Sequence, residues 1–177
     1  MPQAREIAWP MSVEALVTLG RIPHMATGQR PTPCDLEKVR DALLAMDLGD
    51  FRTRTVTRLS GGEQARVLIA RALAQDAPLI MADEPVAGLD PAHQISTMEI
   101  FARLARAGKS VLVSLHDLGL AARHCTRLIL LSGGSVVADG PPGDVLTPQS
   151  LEQVFGIRAY FDQTPDGPVF QPLEVIG

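Results

Sequence analysis

At 177 residues the chain is long enough for one domain with a sizeable buried core, or a domain and a small lobe, and too short for a large multidomain machine. Its net charge of -4 and pI near 5.5 provide no broad basic surface, which disfavours nucleic acid as a partner and a polybasic anchor on a membrane. No apolar run approaches the roughly 18 to 20 residues that span a bilayer, and Arg5 and Glu6 stand ahead of any apolar stretch, unlike a signal peptide, so a cytosolic chain is expected.

In chain order, Ser12 to Leu19 and Asp35 to Leu48 have helical spacing, the second with Leu36, Val39, Leu43 and Met46 every three or four positions. Between them His24 to Pro33, with two prolines and a glycine, reads as an exposed loop. Residues 1–58 are therefore expected to form a small helical lobe. From Ser60 onward the pattern predicts an α/β fold: helices alternate with short apolar runs at Leu79 to Ala82, Val111 to Leu115 and Leu128 to Leu131, which suit strands buried on both faces of a parallel sheet. Ser60 opens a helix with the apolar stripe Ala65, Leu68, Ile69, Ala72 and Leu73. Asp90 caps a second, with Pro91 in its first turn, Ile95, Met98, Ala102 and Ala105 on its apolar face, and Gly108 at its end. Ser132-Gly133-Gly134-Ser135, between Leu128 to Leu131 and Val136 to Ala138, predicts a tight hairpin. Residues after Thr164, with Pro165, Gly167, Pro168 and Pro172, read as a poorly anchored tail. Cys34 and Cys125 lie far apart and in no C-x-x-C arrangement, which gives no support to a zinc site or a disulfide.

Several side chains in this frame carry chemistry. Ser60 and Glu63 have the S-x-x-E spacing of a capping box, while Gly61 and Gly62 add what a cap does not need, close approach of an anion to backbone amides at the positive end of a helix. Asp83 and Glu84 follow a strand, so their carboxylates are expected at its C-terminal end, where ligands bind in open α/β sheets; the plainer alternative is an acidic turn. His116, with Asp117 beside it, ends the next strand and is expected at the same sheet edge. His24, His93 and His124 have no partner constellation and read as surface or packing residues. Gly108-Lys109-Ser110 ends like a phosphate loop, yet Arg103 stands where that motif needs glycine and the segment precedes a strand, so Lys109 reads as a cation at a helix end.

Taken together, Leu59-Ser60-Gly61-Gly62-Glu63-Gln64, the run Leu79 to Ala82 with Asp83-Glu84-Pro85, Ala87-Gly88-Leu89-Asp90 and Leu115-His116-Asp117 resemble, in order, the signature, Walker B, D-loop and H-loop of ATP-binding cassette (ABC) ATPases. Val13 to His24, Asp90-Pro91-Ala92-His93-Gln94 and Leu115-His116-Asp117-Leu118 are similar to the ATPase subunits of importers for iron-siderophore, haem or cobalamin complexes. The resemblance implies a P-loop NTPase-like core with a mainly parallel sheet and a small α-helical subdomain. It divides the chain into a Q-loop and helical subdomain (1–58), a core part with signature, Walker B, D-loop and H-loop (59–160), and a tail (161–177). It implies ATP and Mg²⁺, with Asp83 serving the metal through its water shell, Glu84 as general base and His116 sensing the γ-phosphate. Ser60, Gly61, Gly62 and Glu63 would contact the γ-phosphate of ATP held mainly by the other subunit of a head-to-tail dimer, with Asp90 in the D-loop, and Gln3 would reach the Mg²⁺ and its water. The implied partners are a second ATPase subunit, a transmembrane permease and, indirectly, an extracytoplasmic binding protein, and the implied location is peripheral, on the cytoplasmic face of the membrane.

The family's Walker A loop, G-x-x-x-x-G-K-(S/T), occurs nowhere in the sequence. The expectation is a subunit lacking its N-terminal core, which alone binds MgATP weakly or not at all and exposes apolar surface. Two other readings are an inactive remnant that binds or regulates a partner and an ABC ATPase of DNA maintenance. The second needs long heptad segments that residues 1–58 do not contain.

Overall fold

The computed structural model describes residues 10–176. Contacts divide them into two compact units that part between Ser114 and Leu115.

The first unit begins with helices. Ser12 caps α1 (Val13–Thr18) by accepting the amide of Ala15, and the chain continues as a 3-10 helix over Leu19–His24. The helix expected over 35–48 starts earlier, as α2 (Pro33–Ala45), because Thr32 and Asp35 cap each other's backbone amides and Pro33 fits a first turn that needs no N–H. Its buried stripe is Val39, Ala42 and Leu43, continued by Met46; Leu36, expected on that face, is exposed. α3 (Gly61–Ala74) buries Ala65, Val67, Ile69, Ala70 and Ala74, so its inward face lies to one side of the expected stripe. The helices α1, α2 and α3 pack on one another. Arg21, buried among them, donates to Asp35 at 2.9 Å and to the Ala74 carbonyl at 2.8 Å, which ties the 3-10 helix to α2 and to the end of α3. Gly20 lies so close to the Arg71 carbonyl that a Cβ there would overlap it.

A strand, helix, strand unit follows, made of β1 (Leu79–Asp83), α4 (Pro91–Arg106) and β2 (Ser110–Ser114), with β1 and β2 parallel and Met81 paired with Leu112. Asp90 caps α4 as expected, but the buried side is Thr97, Met98, Ile100, Phe101 and Leu104, and Ile95 and Ala105 face out. Lys109 ends this segment with its ammonium donating to the Ala77 carbonyl at 3.1 Å. The strands are not buried on both faces. Ile80 and Ala82 are covered, while Leu79, Met81 and Leu112 stay exposed, because among the described residues each strand has one partner and α4 packs on the pair through β2.

The second unit holds α5 (Leu118–His124), β3 (Leu128–Ser132), β4 (Ser135–Gly140), α6 (Pro142–Val145), α7 (Pro148–Phe155), β5 (Ile157–Thr164) and β6 (Gly167–Val175). The expected hairpin is β3–β4, turned by Gly133 and Gly134, both in the left-handed region that two-residue turns demand. The expected tail is instead β6, antiparallel to β5. Its prolines are tolerated because, among the described residues, β6 has only β5 as a partner and needs few ladder donors, and its turn is held by Arg123, which donates to the Asp166 carbonyl at 2.6 Å. Leu118, Ile157, Ala159 and Phe170 pack on a buried core of Ala122, Leu146 and Leu151. The α/β class is as expected; among the described residues parallel pairing is confined to β1–β2, and the other two sheets are antiparallel.

Candidate active site

β1 delivers Asp83 as its last residue, on the face that also carries Met81, and Glu84 directly after it. Ser114, the register partner of Asp83 at the end of β2, joins the two acids: its hydroxyl donates to Asp83 Oδ1, and its oxygen accepts the Glu84 amide at 3.0 Å. Glu84 has φ of 44°, a left-handed conformation that costs a non-glycine residue of order 1 kcal/mol or more and persists where neighbours over-determine it. The Ser114 bond is one such constraint. A second is the turn itself, since the Glu84 carbonyl accepts the Ala87 amide at 3.1 Å. Gly88, at φ of 68°, then leads the chain to Asp90. Ser114 carries no local signal in the sequence, since it is a serine that closes a strand.

At the start of α3 the capping box is formed on both sides. Ser60 Oγ accepts the Glu63 amide at 3.3 Å, and Glu63 accepts the Ser60 amide at 2.7 Å, which holds the Glu63 carboxyl below its usual range. The two glycines differ. Gly61 is exposed, whereas Gly62 is buried beneath the ring of His93, and a methyl group built on Gly62 would overlap that ring. His93 also has a partner that the sequence reading did not assign, for its Nδ1 lies 2.5 Å from Asp90 Oδ2. This bond is the main reason that the Asp90 carboxyl lies below its usual range.

His116 belongs to the second unit, exposed, just before Asp117, whose carboxylate caps α5 by accepting the Leu120 amide at 2.8 Å. It borders a cavity of about 590 Å³ walled by Leu118, Phe155, Ile157 and Phe170. Gln3 lies outside the described residues. Thus one unit brings together Asp83, Glu84 and Ser114, and separately joins Gly62 to Asp90 through His93.

The donors suit a hydrated hard cation. Asp83 offers an exposed carboxylate at a strand end, and no group of three or more His, Cys, Asp or Glu side chains among the described residues is placed to enclose a bare ion. Mg²⁺ is characteristically held by one or two carboxylates and its own waters, with phosphates completing the shell. No helix among the described residues is long and apolar enough to cross a membrane.

A family model described as ABC transporter matches residues 11–87. The hemin import ATP-binding protein HmuV of Pseudomonas aeruginosa is 42% identical over 171 residues, which are 94% of this chain and 66% of the relative. The cobalamin import ATP-binding protein BtuD of Halobacterium salinarum is 40% identical over 166 residues, 93% of this chain and 41% of the relative. The chain therefore spans about two thirds or less of the length of these relatives. Among solved structures, an inward-facing metal-chelate type ABC transporter superposes with a TM-score of 0.86 at 28% identity, over 94% of this chain and 68% of the other. An ATP-binding cassette solved as a dimer in a post-hydrolysis state with ADP and Pi superposes with a TM-score of 0.63 at 30% identity, over 80% and 61%.

Proposed function

Because the chain belongs to the ATP-binding cassette family, we propose that it supplies the signature and Walker B part of an ATP-hydrolysing importer subunit that energises uptake of an iron-chelate, haem or cobalamin-type complex. The observation that carries the reading is the acid pair at the end of β1, with Asp83 bonded to Ser114 and Glu84 fixed in a left-handed turn. The names of the relatives, hemin and cobalamin import proteins, support the cargo class, and the dimeric ADP-bound neighbour supports pairing with a second ATPase subunit. In this reading residues 1–58 with Gln3 form the Q-loop and helical subdomain, residues 59–160 the core part and residues 161–177 the C-terminal segment. The subunit docks on a transmembrane permease at the cytoplasmic face, and an extracytoplasmic binding protein takes part indirectly.

Phosphoryl transfer asks little covalent chemistry of a protein. It asks for charge neutralisation on the phosphates and for an oriented attacking water. Mg²⁺, when bound, supplies the neutralisation, and Asp83 is the residue that would hold it through water. Ser114 fixes one oxygen of Asp83 by its hydroxyl and so sets the direction of the other. Glu84 accepts the proton of the attacking water. His116 orients the γ-phosphate, and Ser60, Gly61, Gly62 and Glu63 meet the nucleotide of the partner subunit, near Asp90 of the D-loop.

The test is ATP hydrolysis by the subunit assembled with its permease. Glu84→Gln is expected to lower kcat by about 100-fold or more, within the range for loss of a general base, while nucleotide binding is retained. An unchanged kcat would overturn the assignment of the base.

A further inference from the structure

His93 has none of the roles assigned above, yet two contacts fix it. It stands in the first turn of α4 with its backbone amide donating to Asp90 Oδ1 at 3.2 Å and its ring Nδ1 donating to Asp90 Oδ2 at 2.5 Å, so both carboxylate oxygens of Asp90 grip the same residue. That grip leaves the imidazole with few orientations. In the one adopted, Cδ2, Nε2 and Cγ are the atoms that a Cβ on Gly62 would strike first. The same seam continues on the neighbouring position, where a Cβ on Gly61 would meet Leu89 at an ordinary 3.7 Å. Gly62 is buried in consequence, and only glycine leaves room for the ring.

We propose that His93 is a positioning residue: held by Asp90, its imidazole fills the space left by the missing side chain of Gly62 and sets the distance between the start of α3 and the turn that follows β1. The assignment rests on the ATPase reading, since its consequence is that the Ser60 to Glu63 segment and Asp90 present themselves to nucleotide as one rigid element. The physical basis is simple. A planar ring tied to one oxygen of a carboxylate whose other oxygen holds the same residue's backbone amide is a spacer of fixed thickness, whereas the aliphatic side chain of a leucine or methionine would pack there in several rotamers. The glycine at position 62 is then required by a neighbour of this same chain.

A steric pair of this kind is read by a double-mutant cycle. In the 177-residue chain, Gly62→Ala is expected to lower the melting temperature by about 3 to 6 °C. In a His93→Ala background the same change is expected to be neutral or slightly stabilising, because alanine is the better helix former once the ring has gone. Additive shifts would overturn the contact. In the subunit assembled with its permease, His93→Ala is expected to lower kcat for ATP about 10-fold with little change in KM, and His93→Asn, whose amide still reaches Asp90, to recover part of the loss. A wild-type assembly that hydrolyses ATP and a His93→Ala assembly that matches it would overturn the positioning role alone. A wild-type assembly that hydrolyses no ATP would overturn the ATPase reading beneath it.

Discussion

The helices α1 to α3 and the strand pair β1–β2 lie in the same unit and use the same kind of residue to opposite ends. In the helices Leu43 and Met46 are 1% and 0% exposed. In the strands Met81 and Leu112, register partners on one face, are 64% and 48% exposed. The helices form a closed set, each packed on the other two, so each apolar stripe has a facing surface supplied by the same segment of chain. A two-stranded sheet has two faces and, here, cover for one. The difference shows that apolar content alone does not say where a core is; the number of faces that find cover decides it.

The largest expected effect tests the closed side of this comparison. Leu43→Ala removes a fully buried side chain of α2 and is expected to cost about 3 kcal/mol by urea denaturation. The next effect comes from Arg21–Asp35, an ion pair buried in that region. Arg21→Met deletes the donors to Asp35 and to the Ala74 carbonyl and is expected to cost about 2 kcal/mol, since the carbonyl loses its partner in a buried place. The pair also sets a pH dependence. The Thr32 hydroxyl and amide, followed by Arg21, hold Asp35 at about 2, below its ordinary 3.8. A carboxylate depressed in the folded state contributes stability that is fully present above its unfolded value and is lost as pH falls from about 4 through 2. The urea midpoints of wild type and Asp35→Asn should therefore differ at pH 6 and draw together at pH 3; a gap that stays constant would show that Asp35 does not titrate in this window.

How much of this was legible follows the same division between local and long-range causes. The caps at Ser12, Ser60 and Asp90 and the turn at Gly133-Gly134 were readable because each is a contact within a few residues of sequence. The Thr32–Asp35 box, equally local, explains why α2 begins two residues before the expected start. Helix faces were read less well: Leu36 and Ile95 fit the period but point away from the packing partners, whose direction no periodicity contains. β6 was mistaken for a tail because its prolines forbid a central strand and not a strand with a single neighbour. The acids Asp83 and Glu84 could be found from a strand end, whereas Ser114 reaches them only across the strand pair and His93 meets Gly62 only across α4 and α3, contacts for which a sequence without coordinates has no signal; the His93–Asp90 bond, by contrast, is local.

The smallest expected effect tests the open side. Met81→Lys replaces an exposed apolar side chain on the uncovered face of β1 with a charged one. If that face meets water in the 177-residue chain, the folded and unfolded states expose Met81 to nearly the same degree, so the urea midpoint should move by no more than about 0.5 kcal/mol in stability. Solubility should rise, because the change breaks an apolar patch shared with Leu79 and Leu112. Light scattering of the two proteins at matched concentration reads the second effect. A destabilisation near that of Leu43→Ala would mean that the face is covered in solution by another copy of the chain; the midpoint would then depend on protein concentration, which a monomer's does not.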